Sequence, residues 1–104
     1  MNTTGTIIAR FKITSWEPVT LPGVNGDWAT GAAMAKTFTA GIDGTSEGLF
    51  ITSGDVEGQR AYMATERITA SLDDGRSGSF VVQHGGLESA PETWFGYIVP
   101  ATGT

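Results

Sequence analysis

Residues Tyr62–Gly86 read YMATERITASLDDGRSGSFVVQHGG, two alternating runs on either side of Asp73-Asp74-Gly75. A three-residue hairpin loop takes two right-handed residues and then a left-handed one, usually Gly. Asp73, Asp74 and Gly75 fit that order, so the pattern predicts that Leu72 faces Arg76. Counting outward, Ile68 faces Phe80, Glu66 faces Val82 and Ala64 faces His84. Side chains alternate between the two faces of a strand. One face then carries Tyr62, Ala64, Glu66, Ile68, Ala70, Leu72, Phe80, Val82 and His84, and is mostly apolar. The other carries Thr65, Arg67, Thr69, Ser71, Ser77, Ser79 and Gln83, and is polar. The apolar face should look inward, and a one-residue slip in either strand would mix the two sets. Glu66 and His84 are thereby expected side by side, diagonally, on a face otherwise built for burial.

The chain is one domain of 104 residues, 1–104. Fifteen Gly and four Pro separate short runs rich in Thr, Val, Ile and aromatics, an all-β composition. Without Cys, disulfides and thiolate metal sites are excluded. The formal net charge of −5, with six scattered cationic residues, argues against nucleic acid, where phosphate contacts dominate affinity. No apolar run is long enough to span a bilayer, and MNTTGTIIARF lacks the features of a signal peptide. The expected location is the cytoplasm.

The string ERITASLDDGRSGSFVVQHGG, with TSWE at Thr14–Glu17, KTF at Lys36–Phe38 and TW at Thr93–Trp94, resembles a bacterial family of unknown function. Gly75–His84, G-R-S-G-S-F-x-x-Q-H, is its specific part. The resemblance implies a small antiparallel up-and-down β-barrel, similar to allene oxide cyclase and calycins, with an internal cavity; it implies no established activity. It also implies a further strand beyond the point where this sequence stops. Either the sequence is shortened, or the edge left open between first and last strands is closed by oligomerising. An open edge is a template for pairing with another chain.

The first strand is expected over Gly5–Trp16, with Ile7, Ala9, Phe11 and Ile13 on one face. Trp16 falls out of phase, so the strand either bulges near Ser15 or releases Trp16 at the rim. Glu17–Thr30, broken by Pro18, Pro22, Gly23 and Gly26, reads as a long loop. Its Trp28 either packs the loop on the rim or belongs to a lid. Ala32–Ser53 reads as a second hairpin turning at Asp43-Gly44. That register places Met34, Lys36, Phe38, Ala40, Ile42, Glu47, Leu49 and Ile51 on one face. Gly54–Gly58 lacks the ligand pattern of a calcium loop and reads as a solvated turn. Glu92–Val99 is a last strand with bulky residues on both faces, which suits cover on both sides or a subunit interface.

The two hairpins point Lys36, Glu47, Glu66 and His84 toward one interior, with Tyr62 at the rim and Phe38, Phe80 and Trp94 as apolar walls. An isolated buried charge costs several kcal/mol, so such groups pair, hydrate or shift their pKa. A Glu beside the sole His is a candidate acid/base pair. Three readings stay open: a structural ion pair, a cavity for a small apolar ligand, or an isomerase or cyclase using Glu66 and His84. One His and no Cys argue against a metal, and no cofactor is implied. Ser77 and Ser79 lie on the face opposite His84, which removes a Ser–His pair. Gly75–Gly78 leads into a strand rather than a helix, so it is no phosphate loop.

Overall fold

The computed structural model describes residues 9–104. Six strands follow one another: β1 Arg10–Val19, β2 Ala29–Ala40, β3 Asp43–Ser53, β4 Ala61–Ser71, β5 Ser77–Leu87 and β6 Ala90–Ile98. They form one antiparallel sheet in the order β1-β2-β3-β4-β5-β6. The chain is therefore all-β and up-and-down, as the alternation implies. The sheet is not closed into a barrel, because no ladder joins β1 to β6 among the described residues.

The central hairpin has the expected register. Ile68 pairs with Phe80, Glu66 with Val82 and Ala64 with His84. Leu72 N–H donates to the Arg76 carbonyl at 2.8 Å, and Gly75 N–H to the Leu72 carbonyl at 3.0 Å. Gly75 takes the left-handed position, at φ 86°. Arg76 is a solvated turn residue paired with Asp74 at 2.7 Å. Gly78 is a close-packing position, since a Cβ there would stand 2.5 Å from the Thr104 carbonyl oxygen.

The second hairpin differs from expectation. Lys36 pairs with Ser46, Ala35 with Glu47, Ala33 with Leu49 and Gly31 with Ile51. The turn lies at Gly41, the residue with positive φ (87°), rather than at Asp43-Gly44. Gly44 is used differently: a Cβ on it would sit 2.1 Å from the Thr69 carbonyl oxygen of β4. Gly48 is equally crowded, at 2.3 Å from the Thr65 carbonyl oxygen. Both glycines allow β3 and β4 to come together, so the turn falls to the other Gly available. The shift in pairing changes parity, and Glu47, Leu49 and Ile51 move to the face opposite Lys36. Ser46, Gly48 and Phe50 replace them.

Of the two ways to place the out-of-phase Trp16, a bulge near Ser15 or release at the rim, β1 takes the bulge. Its ladder to β2 shifts between Ile13 and Ser15, so Ile13 pairs with Lys36 and Trp16 with Met34. Trp16 thereby returns to the face that carries Phe11 and Ile13. The strand runs through Pro18, which pairs with Ala32, and β2 starts earlier than expected. A proline is tolerated there because β1 is an edge strand. The expected Gly5–Ile8 portion lies outside the described residues.

Burial is thin. Among the described residues, Ala29, Ala32, Met34, Ala64 and Ile68 are the buried apolar ones, and Lys36, Ser46, Glu66 and Ser79 the buried polar ones. On β6, Trp94, Phe95, Tyr97 and Ile98 are all exposed, so the described residues do not cover the last strand on both sides. Beyond β6 the chain follows the edge of β5: Val99 N–H donates to the Val81 carbonyl and Thr104 N–H to the Ser79 carbonyl. The hydroxyls of Thr104 and Thr102 accept from the N–H groups of Ser79 (2.8 Å) and Val81 (3.0 Å).

Candidate functional site

Four strands each send one polar side chain to the centre of the inner face. Lys36 comes from β2, Ser46 from β3, Glu66 from β4 and His84 from β5. Alternation and register put them there: Lys36 faces Ser46, Ser46 faces Ile68, and Glu66 is two residues from Ile68 on the same side. The Glu66 carboxylate is their common acceptor. Its Oε1 takes the Ser46 hydroxyl at 2.9 Å, and its Oε2 takes Lys36 Nζ at 3.1 Å. Oε2 also meets His84 Nε2. His84 Nδ1 lies 3.3 Å from the Tyr62 hydroxyl. The Lys36 ammonium stands over the Phe11 ring, 4.1 Å from its centroid, a cation–π contact.

Burial sorts these groups. The Glu66 side chain is 4% exposed and Lys36 9%, whereas His84 is 24% exposed. Burial alone pushes the Glu66 carboxyl up, since a charge is disfavoured away from water. The hydrogen bonds from His84, Lys36 and Ser46 and the Lys36 charge outweigh burial and hold it below its ordinary value. Glu66 is thus ionised and fully partnered, and the His84 ring is where the cluster meets solvent.

Apolar surface flanks the cluster along the sheet. Toward the hairpin tips is a cavity of about 580 Å³ lined by Phe38, Ile42, Ile68, Leu72, Phe80 and Ile98. Toward the other end runs a row of rings. Trp16 meets Phe50 edge to face, Phe50 stacks on Tyr62 at 5.0 Å and 8°, and Tyr62 meets His84 edge to face.

Of the expected residues, Lys36, Tyr62, Glu66 and His84 come together, and Phe38 and Phe80 line the cavity. Glu47 does not join them. Its backbone pairs with Ala35 and Arg67, and its exposed side chain is on the opposite face. That face spares the interior a second carboxylate beside a single lysine, which burial would penalise. Trp94 does not line this cavity: it is 56% exposed, and its indole N–H donates to the Leu87 carbonyl at 2.7 Å. Trp28 is also exposed, and its indole N–H donates to Asn25 within its own loop. Sequence reasoning missed Ser46, Phe11 and Phe50. Placing the second turn at Gly41 would have brought Ser46 and Phe50 to the Lys36 face.

Among the described residues there is no helix long and apolar enough to cross a membrane, and no group of three or more His, Asp or Glu positioned to hold a metal ion. No curated protein and no solved structure matches the chain. The sequence pattern of one family, described as protein of unknown function (DUF3224), matches residues 7–104. That match covers nearly the whole chain, including every strand and the Lys36–Ser46–Glu66–His84 cluster, and the protein belongs to the DUF3224 family.

Proposed function

We propose that the inner face of the sheet binds a small, partly apolar molecule. Its apolar body would occupy the cavity beside Ile68 and Phe80, and its polar end would meet His84 and Tyr62. The supporting observation is the pairing of a 580 Å³ apolar cavity with a buried charge cluster that keeps one accessible edge, the His84 ring. Apolar pockets with a few convergent polar groups are the usual form of a small-molecule site. Phe80 and His84 share the inner face four residues apart on β5, about 13 Å along the strand, so a ligand that reaches both regions is elongated, about three fused rings in length.

The neutral apolar dye N-phenyl-1-naphthylamine tests this reading. Its fluorescence should rise and shift to the blue with wild-type protein. Ile98→Glu puts a charge at the cavity wall on an exposed strand, and should weaken dye binding about tenfold or more. Met63→Glu, on the opposite face, should leave it unchanged. Equal loss in both variants, or no dye binding at all, would refute the reading.

A second reading is self-association. β1 is exposed at every position, and among the described residues no strand pairs with the outer edge of β1 or β6. The exposed Phe95 and Tyr97 rings stack on each other at 5.9 Å on β6. A second copy of the chain would cover these edges and rings. Sedimentation should then show a dimer or larger species that Phe95→Glu dissociates; a wild-type monomer at high protein concentration would exclude it.

A further inference from the structure

We propose that His84 and Tyr62 transfer protons at the carbon next to a carbonyl group, isomerising a small apolar unsaturated ketone held on the inner face. The inference rests on the binding reading above and assigns a reaction to the same site. Both oxygens of the Glu66 carboxylate only accept, so the His84 nitrogen facing it, Nε2, carries the proton. In the neutral form of the ring Nδ1 has the lone pair and faces the Tyr62 hydroxyl at 3.3 Å, a long contact in which a substrate oxygen can replace it as the acceptor. His84 is the exposed end of the cluster, whereas Glu66 is shut in beneath it. The Tyr62 ring is fixed by its stack on Phe50. A base and a hydroxyl donor therefore stand side by side at the edge of an apolar surface, the two groups that enolisation requires.

The step balances without a co-reactant. His84 Nδ1 takes the proton from the carbon between the carbonyl and the double bond of a β,γ-unsaturated ketone. The C–H electron pair forms a new C=C bond, and the carbonyl π pair moves to oxygen. Tyr62 turns its O–H to that oxygen. The imidazolium so formed lies between the enolate and the Glu66 carboxylate, whose charge Lys36 balances. Nδ1–H then returns the proton at the γ-carbon, the carbonyl reforms, and the product is the conjugated ketone. His84 and Tyr62 are the catalytic residues; Glu66 is a positioning residue that fixes the ring and its tautomer.

The test uses 2-tetralone, an apolar ketone with acidic protons beside its carbonyl, in D2O at neutral pD. Proton NMR follows the loss of its C1 signal, and its line widths report binding. Wild-type protein should exchange these protons about a hundredfold faster than His84→Gln. Tyr62→Phe, which keeps the stack, should slow exchange about tenfold or more. Glu66→Gln should slow exchange at saturating 2-tetralone while leaving its Kd unchanged. Circular dichroism checks that each variant is folded; if His84→Gln is not, Tyr62→Phe decides. Binding of 2-tetralone with exchange no faster than in buffer, or equal in wild type and Tyr62→Phe, overturns the proposal and leaves the binding reading standing. If neither 2-tetralone nor N-phenyl-1-naphthylamine binds, both fall.

Discussion

His84 pairs with Ala64 across the central hairpin, yet its ring reaches diagonally to the carboxylate of Glu66. The two are eighteen residues apart in sequence and share a face only because the loop at Asp73-Asp74-Gly75 sets the register. The polar groups at the centre of the inner face converge on that contact.

Acid should destabilise the protein through Glu66. Its carboxyl is held below the ordinary value of 4.5 in the folded state, after its hydrogen bonds overcome the effect of burial. A group with a lowered folded pKa contributes stability that is complete above the unfolded value and is lost as pH falls through the folded one. The urea midpoint should therefore fall as pH drops below about 4.5, and Glu66→Gln should show a shallower decline. Parallel curves for the two proteins would contradict the assignment.

Removing both charges of the buried pair should cost less than the sum of removing each alone. Lys36→Met leaves Glu66 buried beside a neutral side chain, and a cost of about 3 kcal/mol is expected. Glu66→Gln strands Lys36 in the same way. The double variant should recover about 1–3 kcal/mol of the summed loss, measured by urea unfolding in a double-mutant cycle. Additive losses would mean that the pair contributes through packing alone.

The two glycines of the second hairpin should respond in opposite ways. Gly41 has φ 87°, a conformation that Asn tolerates, so Gly41→Asn should cost less than about 1 kcal/mol. Gly44→Asn would push a Cβ to 2.1 Å from the Thr69 backbone oxygen, and about 3 kcal/mol or more is expected as the strands separate. Thermal melts of the two variants give the comparison. The reverse order would restore a turn at Asp43-Gly44.

Sequence legibility followed the glycines. Around Gly75 one Gly had one job, so the central register, the burial of Glu66 and its approach to His84 could all be read from the string. Around Gly41 and Gly44 two glycines competed for one turn. The Asp-Gly signal favoured Gly44, but a strand contact that appears only once β3 and β4 are assembled had already claimed it. Ser46 was lost with that register, and Glu47 was put in its place. The bulge beside Thr14 was legible only as one of two alternatives, since an out-of-phase Trp returns to the apolar face of its strand by one extra residue or leaves the sheet at the rim. The open sheet was legible only as an expectation of too few strands, since closure depends on β1 and β6 meeting, which no local pattern encodes.

The C-terminal residues should protect the edge of β5. The Thr102 and Thr104 hydroxyls accept from the backbone N–H groups of Val81 and Ser79. Thr102→Val should raise hydrogen exchange at Val81 several-fold, and Thr104→Val should do the same at Ser79, each leaving the other amide nearly unchanged. Residue-resolved NMR exchange measures both.

The assembly of one carboxylate's partners from β2, β3 and β5 around β4 also bears on how the chain finds its fold. Each hairpin is local, so the ladders can zip one after another from neighbouring segments, without a long search. Local pairing is fast but error-prone, because Thr- and Ala-rich strands slip easily. A one-residue slip in any of the three ladders between β2 and β5 would turn Lys36, Ser46 or His84 away from Glu66 and leave a buried charge without its partners. The cluster thus penalises misaligned hairpins: only the alignment that brings Lys36 of β2, Ser46 of β3 and His84 of β5 to Glu66 gives the buried carboxylate all its partners.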